Sequence, residues 1–204
     1  MTKQELVLTI VVMEFIKLAK KRCSVRKFNT QLVPRKEIEA CLEAARLAPS
    51  ACNSQPWHFV IVDDEKLLPE MREAAVGNPV PINVFVRQAP VIIAVVEEHA
   101  KLAASIGGFV KGHGYKHLDI GMAVENFCLA AAERGIGTCI LGWFDEKRVK
   151  KVIGVPGIKQ IPLLIALGYP AENFQTPEKK RQELSAIISY NRYHRQDSEA
   201  ASNK

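Results

Sequence analysis

The sequence has no G-x-G-x-x-G turn after a predicted strand and no lysine-bearing phosphate loop, so the usual dinucleotide and nucleotide folds are excluded. No G-x-S-x-G elbow is present, which removes the serine hydrolases built on that turn. Five cysteines stand at 23, 41, 52, 128 and 139, an odd number with no CxxC pair. That argues against a disulfide framework or zinc ribbon, and for reduced thiols in a cytoplasmic setting. His113 and His117 share an i, i+4 spacing, but no acidic partner completes a metal-binding pattern, and no metal is expected.

Long apolar runs are also lacking. The first, "LVLTIVVMEFIKLA", is broken by Glu14 and Lys17, too short and too charged to span a bilayer. A signal peptide would place positive charge before the run, whereas "KKRC" comes after it. Leu6, Ile10, Met13 and Leu18 lie near helical spacing and predict an amphipathic first helix. Met13 is a candidate start, with residues 1–12 as an N-terminal extension. No repeat, low-complexity stretch or linker interrupts the remainder of the chain. The expectation is one domain over 13–196 and a disordered tail at 197–204.

The composition fits a globular chain of 204 residues, 48% apolar and 25% charged, long enough to bury a core without staples. The net charge is +6 and the pI about 9.1. The basic residues fall in separate clusters, Lys20–Arg22 and Lys179–Arg181, with no nucleic-acid motif around them. A small anionic ligand suits that pattern better than nucleic acid.

Periodicity supplies the elements. "VPRKEIEACLEAARLAPS" opens on Pro34 and places Ile38, Cys41, Leu42 and Ala45 on one helical face before Pro49 stops it. "WHFVIV" (57–62) reads as a buried strand and "DDEKLLPEMREAAV" as a surface helix starting near Asp63. "APVIIAVVE" (89–97) has the continuous apolar character of a central strand. A long helix, "HLDIGMAVENFCLAAAERG", is apolar nearly all round and should be deeply buried, with Gly135 ending it. The strand "TCILGWF", a helix capped by Asp145, and the strand "PLLIALGYP" (162–170) complete an α/β or α+β domain.

Three stretches carry candidate chemistry. In "KRCSVRKF", Arg22, Ser24 and Arg26 alternate, so an extended backbone sends all three to one face. Two guanidinium forks around a hydroxyl make a phosphate clamp, although a solvated basic turn would read the same. In "PSACNSQP", Ser50, Asn53 and Gln55 supply neutral donors and acceptors between two prolines. That suits the edge of a uracil-like ring, and equally a turn leading into a strand. In "ERGIGTCILGWF", Gly137 and Gly142 flank an apolar stretch, where glycine permits close approach of a flat ring or simply punctuates a strand.

Together, "RCSVRKF", "ARLAPSACNSQPWHFVIV", "AERGIGTCILGWF" and "KKRQEL" resemble, in order and over Arg22 to Arg181, the nitroreductase family of FMN-dependent oxidoreductases. The resemblance implies an α+β fold with a central, mostly antiparallel sheet flanked by helices, in an intertwined homodimer with FMN at the interface. It implies that Arg22, Cys23, Ser24, Arg26, Lys179 and Arg181 hold the phosphate and ribityl chain from one subunit. Pro49, Ser50, Ala51, Asn53 and Gln55 would reach the same flavin from the other, with Ile140, Leu141 and Gly142 against the ring. The implied activity is ping-pong transfer from NAD(P)H, through flavin N5, to a small nitroaromatic, quinone or similar acceptor, with no protein acid or base as catalyst. Dehalogenation, ene reduction, flavin breakdown, or flavin binding with little turnover are the alternatives. Cys23 stands where the family often has Arg or His, and Leu141 where some relatives carry Glu. The segment 98–116 matches nothing in the pattern, in a region that borders the substrate in such proteins.

Overall fold

The structure is a computed structural model that describes residues 15–99 and 114–194; the expected extension at 1–12 and tail at 197–204 lie outside them. Residues 15–21 are helical (α1). Helices α2 (Arg35–Arg46), α3 (Leu68–Val76), α4 (Tyr115–Glu133) and α5 (Glu146–Ile153) surround strands β1 (Trp57–Val62), β2 (Val91–Glu97), β3 (Gly137–Leu141) and β4 (Leu163–Gly168). The strands form one sheet in the order β1-β2-β4-β3 with every neighbouring pair antiparallel. The fold is α+β, with helices on both sides of the sheet.

The two central strands explain themselves. Ile92, Ala94 and Val96 of β2 pack into one core with α3 and α5, while Val91, Ile93 and Val95 pack into a second core with α2 and α4. On β4, Leu164 and Ala166 face the first core, Ile165 and Leu167 the second. Apolar partners on both faces are what make these strands continuous hydrophobic runs rather than alternating ones. Ile93 and Ile165 sit opposite each other at the centre of the register.

Helix α2 buries Ile38, Cys41 and Ala45, and its chain reaches Pro49 three residues after the helix ends. Two helices differ from expectation. Helix α3 begins at Leu68 rather than near Asp63. The Asp64 Oδ1 accepts the N–H groups of Lys66 and Leu67 at 2.9 and 3.1 Å, which closes a turn first. One face of α3 is covered, with Leu68, Met71, Ala74, Ala75 and Val76 buried, while Pro69, Glu70 and Glu73 lie exposed. Helix α4 buries Ile120, Ala123, Val124, Phe127 and Cys128, but Leu118 is 61% and Met122 40% exposed. Its apolar surface thus faces outward along one strip instead of being covered all round.

The end of α4 is sharply defined. Gly135 adopts φ 73°, its N–H donates to Ala132 O at 3.2 Å, and Ile136 N–H donates to Ala131 O at 2.8 Å. This pair of reverse bonds, with glycine in the left-handed position, closes the helix and turns the chain into β3. Asp145 caps α5 by accepting the Arg148 N–H at 3.0 Å.

Candidate functional site

Strand β3 lies at the sheet edge, and the segment after α1 docks beside it. Val25 N–H donates to Thr138 O at 2.9 Å, and Ser24 bridges Thr138 in parallel. Gly137 permits this approach: a Cβ there would lie 2.8 Å from the Val25 side chain, so any larger residue would push the segment off the sheet. Val25 is 3% exposed, and its burial fixes the two arginines on either side of it.

Arg22 and Arg26 do not extend side by side. Arg22 lies 3.3 Å from Glu125 on α4, while Arg26 sits over the Phe85 ring at 5.9 Å. Both remain near β3, since each opposes the upward push that burial exerts on the Cys139 thiol. Ser24 lies between them in sequence and bridges β3 at Thr138. Cys23 is a partly buried free thiol packed against the core under α3 and α5. Lys179 joins the group by donating to Ala19 O in α1. Its ammonium is held below the usual lysine range by burial first, then by the fields of Arg22 and Arg181. Arg181 is exposed and donates to Lys180 O at 2.9 Å. Arg22, Lys179 and Arg181 thus come within electrostatic reach of one another, while Arg26 lies apart over Phe85.

The loop after α2 is built differently. Pro49, Asn53 and Gln55 are exposed, and Ser50 and Ala51 half-buried. Cys52, Asn53 and Gln55 have φ of 53°, 50° and 47°, the left-handed region that residues with a Cβ rarely adopt. Ser50 Oγ accepts the Gln55 N–H at 3.0 Å, and Gln55 Nε2 donates to Asn53 Oδ1 at 3.1 Å. Trp57 donates its N–H to Gln55 O at 2.8 Å and packs against the core under α2 and α4.

Asp119 is the residue that sequence reasoning missed. It is 3% exposed on the buried face of α4, and both its oxygens lie 3.2 Å from the Ala51 N–H. Burial holds its carboxyl above the usual range, and the Ala51 N–H partly offsets that. One charged residue inside an apolar helical face is the signal that could have found it.

At the exit of β3, Ile140 is 40% exposed and Gly142 has no atom within 4 Å of where a Cβ would stand. Leu141 corrects the expectation that its side chain faces a ligand. It is 3% exposed and belongs to the core under α3 and α5, because strand alternation sends it inward when Ile140 points out. Only its main chain is available. Beyond it, Trp143 Nε1 donates to Val80 O at 3.1 Å, and Asn83 Nδ2 donates to Trp143 O at 2.6 Å. Most of the segment 98–116 lies outside the described residues.

The profile of the Nitroreductase family matches residues 19–84 and 78–169. The chain belongs to the nitroreductase family. An iodotyrosine deiodinase from Thermotoga neapolitana is 28% identical over 196 residues, covering 86% of this chain and 97% of that protein. An NADH dehydrogenase from Thermus thermophilus is 29% identical over 190 residues, covering 80% and 90%. Among solved structures, a nitroreductase family protein from Streptococcus pneumoniae TIGR4 superposes with a TM-score of 0.70 at 29% identity, covering 86% of this chain and 98% of that one. The family's oxidoreductase character extends to this nitroreductase-family chain as an enzyme. Among its described residues no helix is long and apolar enough to cross a membrane.

Proposed function

We propose that this chain is an FMN-dependent oxidoreductase that carries reducing equivalents from NAD(P)H to a nitroaromatic, a quinone or a similar conjugated acceptor. The observation that carries this reading is the cationic cluster of Arg22, Lys179 and Arg181 beside the 22–26 segment that docks on β3. Lys179 is depressed first by burial and then by Arg22 and Arg181, and a phosphate monoester would relieve that repulsion with charge-assisted bonds. FMN, when bound, supplies two-electron redox chemistry at its ring.

The protein's own part is to bind and orient. Arg22, Arg26, Lys179 and Arg181 hold the phosphate, with the Ser24 hydroxyl and the main chain at Cys23 beside them. Pro49, Ser50, Ala51, Asn53 and Gln55 present neutral donors and acceptors to the ring edge. Ile140 offers an apolar surface, and Gly142 leaves the main chain open to close approach.

Among the described residues, the cationic side of this site is too small to enclose a flavin. The cavity beside Arg22 and Cys23 is about 210 Å³, below the roughly 300–1,000 Å³ of enclosed ligand sites. Asp119, which holds the loop, and Glu125, which meets Arg22, are six residues apart on α4. That is about 9 Å along the axis and about 240° around it, so the two halves face different ways. We assign the second half to a second copy, in a homodimer. Exposed Phe15, Ile16, Leu118 and Met122 provide apolar surface for that contact. The setting that fits unpaired thiols is the cytoplasm.

A second reading is favoured by the likeness to the Thermotoga deiodinase: the same pocket reducing a halogenated phenol. The discriminating experiment mixes purified yellow protein with NADH or NADPH without oxygen. The primary reading expects flavin absorbance to bleach within seconds and to return on adding a quinone or nitroaromatic. Slow bleaching with both nucleotides, together with iodide release from iodotyrosine under dithionite, favours the second.

A further inference from the structure

Asp119 is expensive where it stands. It is buried on a helix whose other buried residues include Ile120, Ala123 and Val124. A carboxylate there loses its hydration, and an apolar residue at such a site is often the more stable choice. Its two oxygens converge on one donor, the Ala51 N–H. That N–H opens the turn in which Cys52, Asn53 and Gln55 all adopt left-handed backbone, each a conformation that persists only when surrounding contacts impose it. The Ser50–Gln55 bond closes the turn from within, and among the described residues it is Asp119 that hydrogen-bonds the turn's first residue to the body of the fold.

We infer that Asp119 is a positioning residue that holds the Ala51–Gln55 turn in its left-handed form from the buried face of α4, and through that turn sets the affinity for flavin. The second half of this inference rests on reading the turn as a flavin contact; the first half does not. The carboxylate touches no ligand itself. It acts through a charge-assisted bond to a main-chain N–H, the kind that gains most from a desolvated setting.

Two substitutions separate this role from general stability. Asp119→Ala removes the acceptor. Ala51→Pro removes the donor without touching Asp119, and the backbone allows it: Ser50 has φ −150° and ψ 152°, as a residue before proline requires. Hydrogen exchange is followed peptide by peptide in the purified protein, and FMN affinity by fluorescence quenching. Asp119→Ala should raise exchange in the 50–56 peptide at least tenfold, leave β2 and β4 unchanged, and weaken FMN binding at least tenfold. Ala51→Pro should match it in affinity, and the double variant should be no worse than the weaker single one. Asp119→Asn, which keeps an acceptor oxygen, should recover part of both effects, and it serves as the test if Asp119→Ala does not fold. Unchanged exchange in the 50–56 peptide overturns the positioning role. Raised exchange with unchanged FMN affinity overturns the link to flavin. A wild-type protein that binds no FMN overturns the functional reading, while the exchange comparison still decides the role of Asp119.

Discussion

The guanidinium of Arg22 lies 3.3 Å from the carboxylate of Glu125. This ties the first residue of the cationic patch to the exposed face of α4, 103 residues away in sequence. Glu125 competes with any phosphate for Arg22 and repels it at close range. Glu125→Gln is therefore expected to tighten FMN binding about 1.4- to fivefold, the range for a partly exposed pair worth about 0.2–1 kcal/mol. Fluorescence titration checks this, and weaker binding would mean that Glu125 orients Arg22 rather than competing for it.

Asp119 gives a pH dependence with a definite sign. Its folded-state carboxyl is raised by burial above the unfolded value of about 3.9. A raised group contributes its stability fully below the unfolded value, and that contribution is lost as pH rises through the folded one. Asp119→Asn removes the titration. The unfolding free energy of wild type minus that of Asp119→Asn should therefore fall as pH rises above about 3.9, read from urea melts. A difference that grows with pH would contradict this.

Asp145 carries the opposite sign. The Arg148 N–H first, and then the Asn78 amide, hold its carboxyl below the usual range. Its stabilisation is present above about pH 3.9 and lost as pH falls through the lowered value. Asp145→Ala should cost about 0.5–2 kcal/mol near neutrality as a lost helix cap, and the deficit should shrink in acid. Urea melts at two pH values decide it.

Much of the fold was legible because its signals are local. The runs 89–97 and 162–170 read as strands, the first as a central one, because both faces of β2 and β4 are covered. Asp145 and Gly135 read as helix ends because cap chemistry is confined to a few residues. What was not legible depends on contacts distant in sequence. Leu141 turns inward because β3 pairs with β4, and Arg22 parts from Arg26 because one meets Glu125 and the other lies over Phe85. The outward strip of α4 at Leu118 and Met122 has no local signature, since an apolar helix reads the same whether its cover is its own sheet or another surface. For the site, the residue types of positions 22–26, 49–55 and 179–181 stood out. The carboxylate that holds the second of these, 68 residues on from Ala51, did not.

The proposed flavin site is tested most directly by equilibrium titration of the flavin-stripped protein with FMN, for wild type and for Arg22→Ala/Arg26→Ala. The account predicts about one FMN per chain for wild type, and loss of most binding in the double variant with its melting temperature little changed. Equal stoichiometry and affinity in the two proteins would contradict it.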